Sequence, residues 1–347
     1  MTKRVALVLG GYGAFGRLVV ASLAPHEEIS VVVAGRSIEK ARALCRSLVV
    51  PNVTAATLDC SAPDLGARLG ESRPTVVIDT AGPFQSRDYA VARACLAAGA
   101  HYVDLADGRE YVTGIGALNE AARARGRLIV SGASTCPALS TAVADELSRD
   151  LARVDEMSLG IAPGHRAPRG IATARSVLGY CGQRIPSLRD GEALTTWGWS
   201  GLTRHAYPAP VGPRWLSRID VPERALWPSR YPGLRELELR AGLEIGILHV
   251  GLTALSQLAR LRVIGSLARH AGLMLRVSSW FDRWGHPIGA MHVTVMGATS
   301  SGSRLWRTWS IVATGGDGPQ IPAAPAALIA KKLLGVAGYA AIAETGA

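Results

Sequence analysis

The chain lacks the residue patterns that define several common protein classes. Its five cysteines are odd in number and form no Cys-x-x-Cys pair, so we expect free thiols in a reducing compartment rather than a disulfide framework. No two histidines stand four residues apart and none adjoins spaced cysteines, so we expect no metal site. The net charge of +11 comes almost entirely from scattered arginines. Without a compact basic run, a nucleic-acid partner is not predicted.

Long apolar runs are scarce as well. Met1-Thr2-Lys3-Arg4 leads directly into the first apolar segment and leaves no room for a signal peptide, so we expect a cytoplasmic protein. The stretch 245–259 carries no Asp, Glu, Lys or Arg, and a second apolar stretch spans 263–275. Each is shorter than the roughly 20 residues of a membrane-spanning helix. Two interpretations of 241–275 stay open: helices in the core or at a homodimer interface, and helices in peripheral contact with a membrane surface.

The strongest positive signal is a glycine-rich turn that ends an apolar segment, Leu9-Gly10-Gly11-Tyr12-Gly13-Ala14-Phe15-Gly16. In such a turn between a strand and a helix, glycines allow the tight bend, the approach of backbone to a pyrophosphate, and close packing of helix on strand. The helix N-terminus then offers free N–H groups to the anion. The turn therefore predicts a dinucleotide-binding Rossmann unit.

The end of the second predicted strand, Ala34-Gly35-Arg36-Ser37, indicates which dinucleotide is bound. Asp or Glu normally stands here to hold the ribose 2′-hydroxyl, but this chain has a cation and a hydroxyl, which suit a 2′-phosphate. We therefore expect NADP(H). The residues predicted to bind the cofactor lie at four successive strand ends: Gly10, Gly11, Tyr12, Gly13, Ala14, Phe15 and Gly16; Gly35, Arg36 and Ser37; Asp59; and Ala81, Gly82 and Pro83.

Strand and helix patterns alternate through the first 135 residues. Predicted strands at 4–9, 29–34, 53–57, 75–79, 101–104 and 127–130 are separated by helical segments, which is typical of a doubly wound parallel sheet. A helix at 138–151 and a strand at 154–162 follow, and later strands at 273–283, 288–298 and 304–313 alternate as in an antiparallel sheet. The expected fold is α/β: a Rossmann domain at 1–135, an α+β domain for substrate binding and dimerisation at 136–315, and a C-terminal helix at 316–347 that packs back on the first domain.

Several motifs together resemble the saccharopine dehydrogenase-like NADP-dependent oxidoreductases. They are the glycine turn 10–16, the 34–37 corner, Val77-Ile78-Asp79-Thr80-Ala81-Gly82-Pro83-Phe84, Tyr102-Val103-Asp104-Leu105-Ala106-Asp107 and Ser131-Gly132-Ala133-Ser134. The resemblance is specific over the first 140 residues and looser afterwards. It implies a Rossmann domain, an α/β second domain, a homodimer, and NADPH-dependent reduction of a C=N bond in a small-molecule substrate.

The candidate catalytic groups lie at the end of the fifth strand. Asp104 or Asp107 is expected to stabilise an iminium charge, and Tyr102 or Tyr111 to position or protonate the product amine. Asp104 also suits a helix cap or a surface turn. None of the residues four positions after the eight tyrosines is lysine, which excludes the Tyr-x-x-x-Lys mechanism of carbonyl reduction.

Two other functions stay open. Cys136 follows the sixth strand and precedes Pro137, and a thiol at a helix N-terminus could attack an aldehyde as in semialdehyde dehydrogenases. The proline removes one N–H that would stabilise the thiolate. The other alternative is a non-catalytic NADP(H)-binding protein at a membrane surface.

Overall fold

The computed structural model describes residues 3–85, 87–168 and 170–340. These form two compact units. The first comprises the described residues up to Thr135 and those from Pro319 onward, and the second is Cys136–Gly318.

The first unit is built on a six-stranded parallel sheet. Its strands are β1 (Arg4–Leu9), β2 (Ile29–Gly35), β3 (Val53–Thr57), β4 (Val76–Asp79), β5 (His101–Asp104) and β6 (Ile129–Val130). The helices between them are α1 (Gly16–Leu23), α2 (Ile38–Leu48), α3 (Leu65–Ser72), α4 (Ala90–Ala97), α5 (Arg109–Gly114) and α6 (Asn119–Arg123), with a 3-10 turn at Ile115–Leu118. The strand order is β3-β2-β1-β4-β5-β6, so the chain reverses direction across the sheet between β1 and β4. Ligands of doubly wound folds bind at the strand ends beside that reversal.

The second unit contains a mixed sheet that is largely antiparallel. Its strands are β7 (Arg153–Ala162), β8 (Arg184–Arg189), β9 (Glu192–Trp197), β10 (Thr203–Ala206), β11 (Pro213–Arg218), β12 (Glu236–Ala241), β13 (Gly289–Ala298) and β14 (Arg304–Ala313). Its helices are α7 (Ser140–Ser148), α8 (Ile171–Tyr180), α9 (Glu223–Arg230), α10 (Gly246–Arg260) and α11 (Ala271–Ser279), with 3-10 turns at Leu267–His270 and Asp282–Trp284. The main order is β10-β11-β12-β7-β13-β14, in which β12 and β7 run parallel. The predicted fold class is confirmed by both sheets.

The last described helix, α12 (Gln320–Leu333), belongs to the core of the first unit. Its buried face includes Ala323, Ala326 and Ala330, which pack in one cluster with Val19 and Val20 of α1. Small side chains at this spacing let two helices approach closely, and their burial removes apolar surface from water.

One predicted strand is wrong. The segment 273–283 forms α11 and the turn after it rather than a strand. Leu273, Leu275 and Val277 alternate as in a strand, but the residues that pack inward are Ala268, Ala271 and Met274, at helical spacing. Tertiary packing therefore selects the helix where the local pattern is ambiguous.

Candidate cofactor and active site

The glycine turn after β1 is shaped by close backbone contacts. Gly10 adopts a positive φ of 71°, which favours glycine. A Cβ on Gly16 would lie 2.3 Å from the Gly10 carbonyl oxygen, so α1 can begin this close to the turn only with glycine at that position. The first turn of α1 carries no acidic side chain, which leaves its positive dipole end free of a competing charge. The turn thus fits a pyrophosphate.

Tyr12 joins the glycine turn to the end of β2. Its hydroxyl accepts a hydrogen bond from the backbone N–H of Ser37 at 3.0 Å, and a Cβ on Gly35 would lie 2.5 Å from its ring. Gly35 is therefore needed to seat the tyrosine. Sequence reasoning included Tyr12 only as part of the turn, and the structure brings it to the corner where the ribose phosphate is expected.

The two residues predicted to bind the 2′-phosphate, Arg36 and Ser37, have different surroundings. Arg36 is exposed, and its charge helps to lower the pKa of Asp59, which is lowered mainly by hydrogen bonds from Ser61. Ser37 is the N-cap of α2: its hydroxyl accepts from the Lys40 N–H at 3.3 Å and donates to Glu39 at 2.8 Å. Apart from its charge near Asp59, Arg36 has no ion-pair or hydrogen-bond partner among the described residues, whereas Ser37 is already engaged in capping.

The turn after β4 lies against the glycine turn. The Thr80 hydroxyl donates to the Leu9 carbonyl at 2.7 Å, and a Cβ on Gly10 would lie 3.2 Å from the Ala81 nitrogen. Ala81, Gly82 and Pro83 are partly exposed. The structure thus brings the predicted cofactor-binding residues of β1 and β4 to one edge of the sheet.

A buried ion pair between Asp79 and Arg87 lies at this edge of the sheet, and the sequence analysis did not predict it. Asp79 at the end of β4 is fully buried, and its carboxylate lies 3.1 Å from the Arg87 guanidinium. The same guanidinium donates to the Ala81 carbonyl at 3.0 Å and lies over the Phe84 ring. An aspartate that ends an all-apolar strand was the available signal, because a buried charge requires a partner.

Tyr102 belongs to this ion-pair network rather than to an open site. Its hydroxyl contacts Asp79 at 3.3 Å and the Tyr111 hydroxyl at 3.1 Å, and the whole side chain is buried. Burial, followed by the nearby negative charges of Asp79 and Asp104, raises the pKa of Tyr102 well above its usual value. This environment favours a structural role over proton donation to substrate.

Asp104 is buried at the end of β5. One carboxylate oxygen accepts hydrogen bonds at 2.9 Å from the Ala106 and Gly132 N–H groups and from the Ser131 hydroxyl. Among the described residues its second oxygen has no hydrogen-bond partner. Burial raises the pKa of this carboxyl to about 6, although the two N–H groups act in the opposite direction. Asp104 therefore ties β5 to the turn after β6.

Asp107 is the more accessible of the two predicted carboxylates. It lies in the loop between β5 and α5, is partly exposed, and accepts a hydrogen bond at 2.9 Å from the side-chain amide of Gln85 in the loop after β4. Gly108 also lies against the Gln85 backbone. The loops that hold Asp107 and Gln85 follow the neighbouring strands β5 and β4. Asp107 therefore lies at the same edge of the sheet as Ala81–Pro83.

Cys136 is buried in the second unit, in an environment that disfavours a thiolate. Its backbone is extended (φ −115°, ψ 123°) within the turn that leads into α7. Its thiol donates a hydrogen bond to the buried carboxyl of Glu223, which also accepts from the Ser140 hydroxyl. Burial beside a carboxyl group makes loss of the thiol proton less favourable.

Within the described ranges, no three or more His, Cys, Asp or Glu side chains are grouped to hold a metal ion. Over the same ranges, no helix combines the length and the apolar character needed to cross a bilayer.

Comparison with known proteins agrees with the geometry of the first unit. Residues 6–135 match the family model described as the saccharopine dehydrogenase NADP binding domain. Saccharopine dehydrogenase (L-Glu forming) from Saccharomyces cerevisiae has a similar fold, with a TM-score of 0.64 and 14% sequence identity over 96% of this chain and 91% of that chain. A search of curated proteins finds no match.

Weaker structural similarity extends to an amine dehydrogenase from Mycobacterium smegmatis, with a TM-score of 0.47, 11% identity, and coverage of 96% of this chain and 93% of that one. The family match confirms the resemblance seen in the sequence motifs and the expected cofactor, NADP(H). Residues 6–135 of this chain are therefore similar to the saccharopine dehydrogenase NADP binding domain.

Proposed function

We propose that this chain is an NADP(H)-dependent oxidoreductase that transfers hydride to or from the carbon of a C=N bond, in an imine or a secondary amine. The observation that carries the proposal is the joint placement of the glycine turn, Arg36 and the partly exposed Asp107 on strand ends of one parallel sheet. The absence of lysine four residues after any tyrosine argues against the common route for reducing a carbonyl.

The chain's own residues would bind and orient the reactants. Gly10 and Gly16 leave room for the pyrophosphate at the start of α1, and Arg36 would pair with the 2′-phosphate. Ala81–Pro83 would border the nicotinamide. The cofactor, when bound, supplies the hydride. What the protein must add is a defined position for the acceptor carbon and a stable environment for its charge.

Asp107 is the residue we assign to that charge. An iminium nitrogen is already positive, so its reduction needs a nearby carboxylate more than a strong acid. Asp104 and Tyr102 are enclosed by protein groups and would act on the substrate only through the positions of the β5 and β6 loops. A homodimer and a cytoplasmic location stay predictions.

The preference for NADPH over NADH tests whether Arg36 binds the 2′-phosphate. Arg36→Asp is expected to lower the ratio of NADPH to NADH affinity by about tenfold or more, because one charge-assisted pair contributes about 1.5–3 kcal/mol. Arg46→Asp makes the same charge change on the exposed side of α2 and is the matched control. Titration of both variants with both reduced nucleotides gives the ratio. A ratio unchanged by Arg36→Asp would remove Arg36 from the cofactor site.

Acceptor class is tested with amines and carbonyls supplied separately and together. We expect oxidation of NADPH with the pair or with a preformed cyclic imine, and none with the carbonyl alone. Asp107→Asn should lower kcat/KM for the imine by about tenfold or more while NADPH affinity is kept. Glu110→Gln, three residues further on and exposed, is the control. Equal turnover of the carbonyl alone would contradict the proposal.

A further inference from the structure

Helix α10 exposes an aliphatic face and buries a mixed one, in which Leu252 and Ala259 stand beside polar residues. Its buried side includes two polar residues, His249 and Ser256, whose groups pair with the Ser217 hydroxyl at 2.9 Å and the Trp199 carbonyl at 2.9 Å. Its exposed side is aliphatic. We call this side the α10 stripe: Ile247, Val250, Gly251, Ala254, Leu255, Leu258 and Leu261.

The α10 stripe is a continuous surface. Its members are spaced by three or four residues, which places them on one helix face over a length of about 21 Å. Ile247 and Leu261, at the two ends, are each 69% exposed. Exposed apolar patches of this kind mark contact surfaces, because an isolated soluble surface gains nothing from a row of aliphatic side chains in water.

Both ends of the stripe are basic and aromatic. At the first end, Gly246 lies against the partly exposed Trp215, and the Arg204 guanidinium is 5.9 Å from the centre of that ring. At the other end, Arg260 lies 4.6 Å from the centre of the Trp197 ring and the exposed Arg262 follows. From residue 246 to residue 281 the sequence has four arginines and no acidic residue.

This charge distribution decides between two occupants. In a dimer that packs two copies of α10 parallel, the arginines of one helix would lie against the arginines of the other. In an antiparallel dimer they would lie against the positive N-terminal end of the other helix. Glu244, the acidic residue next to the helix, is buried and already held by Arg214 and His286, so it offers no compensating charge. An anionic lipid surface matches the arginines, accepts aliphatic side chains among its acyl chains, and suits indole rings at the headgroup level.

We propose that α10 lies flat on a membrane surface rich in anionic lipid, with the α10 stripe inserted and Arg260 and Arg262 at the lipid phosphates. The contact is peripheral and independent of the proposed reaction. Exposed Val263, Leu273 and Trp280 in the following segment extend the apolar surface available on this part of the second unit.

Vesicle flotation of the full chain tests the proposal. We expect it to float with phosphatidylcholine vesicles that contain phosphatidylglycerol, weakly with phosphatidylcholine alone, and less at high salt. Ile247→Ser/Leu261→Ser should lower partitioning at least about tenfold, given the apolar area lost from the contact. Val49→Ser/Leu328→Ser removes two exposed aliphatic side chains from the first unit and should change nothing.

A second variant separates the charge from the apolar contribution. Arg260→Gln/Arg262→Gln should lower partitioning onto the anionic vesicles about 25-fold, at roughly fivefold for each arginine, and hardly alter it on neutral ones. All variants are expected to keep NADPH affinity and the thermal midpoint of unfolding. Failure of the unmodified chain to float with anionic vesicles at low salt overturns the proposal. So does a dimer in sedimentation velocity that the stripe variant splits, since the second copy would then cover this face.

Discussion

The ends of β4 and β5 offer two aspartates in matched positions with different surroundings. Asp79 and Asp104 are register partners on neighbouring parallel strands, and both are fully buried. Asp79 faces a guanidinium at 3.1 Å. Among the described residues, Asp104 has no such cation beside it, and it accepts hydrogen bonds from two backbone N–H groups and a hydroxyl. The same residue type at the same sheet edge is thus held by a cation together with hydrogen bonds in one strand, and by hydrogen bonds in the next.

This difference has a chemical consequence. A neighbouring cation favours the ionised form of a buried acid, whereas N–H dipoles only partly offset the cost of burial. The carboxyl of Asp104 therefore has its pKa raised to about 6, near neutral pH. We infer that Asp79 anchors Arg87 and the β4 turn. The Asp104 carboxyl can gain or lose a proton while its side chain stays buried in the core.

The largest expected effect comes from removing the cation beside Asp79. Arg87→Met should lower the free energy of unfolding by about 3 kcal/mol, because it leaves a buried carboxylate without its partner. The double variant Asp79→Asn/Arg87→Met removes both charges and should regain part of the loss. Urea unfolding of the set measures the coupling. If the double variant is no more stable than the single one, the pair is not what holds the β4 turn.

The next effect is the pH dependence at Asp104. Its folded pKa of about 6 lies above the unfolded value of about 3.9, so its contribution to stability is full below about pH 4 and is lost as the pH rises through 6. Asp104→Asn keeps the accepting oxygen and cannot ionise. The stability of the unmodified protein relative to this variant should therefore fall by about 2 kcal/mol between pH 4 and pH 7.

Asp145 provides the control with the opposite sign. Hydrogen bonds from Arg230 lower the pKa of its carboxyl, so the stability it contributes is lost as the pH falls through that lowered pKa. Asp145→Asn should remove stability at neutral pH and less in acid. Parallel pH profiles for the two variants would mean that burial does not distinguish Asp104.

The two units also differ in how much of their structure the sequence could predict. The glycine turn and the alternating strands of the first unit are local signals, and they correctly predicted its fold and its cofactor, NADP(H). The role of Arg87 was not predicted, because Arg87 lies in the irregular loop after β4 and no periodic pattern links it to its partner Asp79. In the second unit, α11 was predicted as a strand. The outward direction of the α10 stripe depends on packing, since the spacing alone cannot say which face is buried.

The smallest effect is expected at a third buried carboxyl, Glu223 in the second unit, whose pKa is raised by burial and lowered by hydrogen bonds from Ser140 and Cys136. Cys136→Ala removes one of these donors and should cost about 1 kcal/mol of unfolding free energy. Turnover of the imine should stay within about twofold, because the proposed hydride transfer needs no thiol nucleophile. Steady-state kinetics of this variant, with Cys95→Ala as the buried control, checks both values. Loss of turnover at Cys136→Ala alone would show that the thiol takes part in the chemistry, and that dipole-held carboxyls in this chain can serve reactive partners.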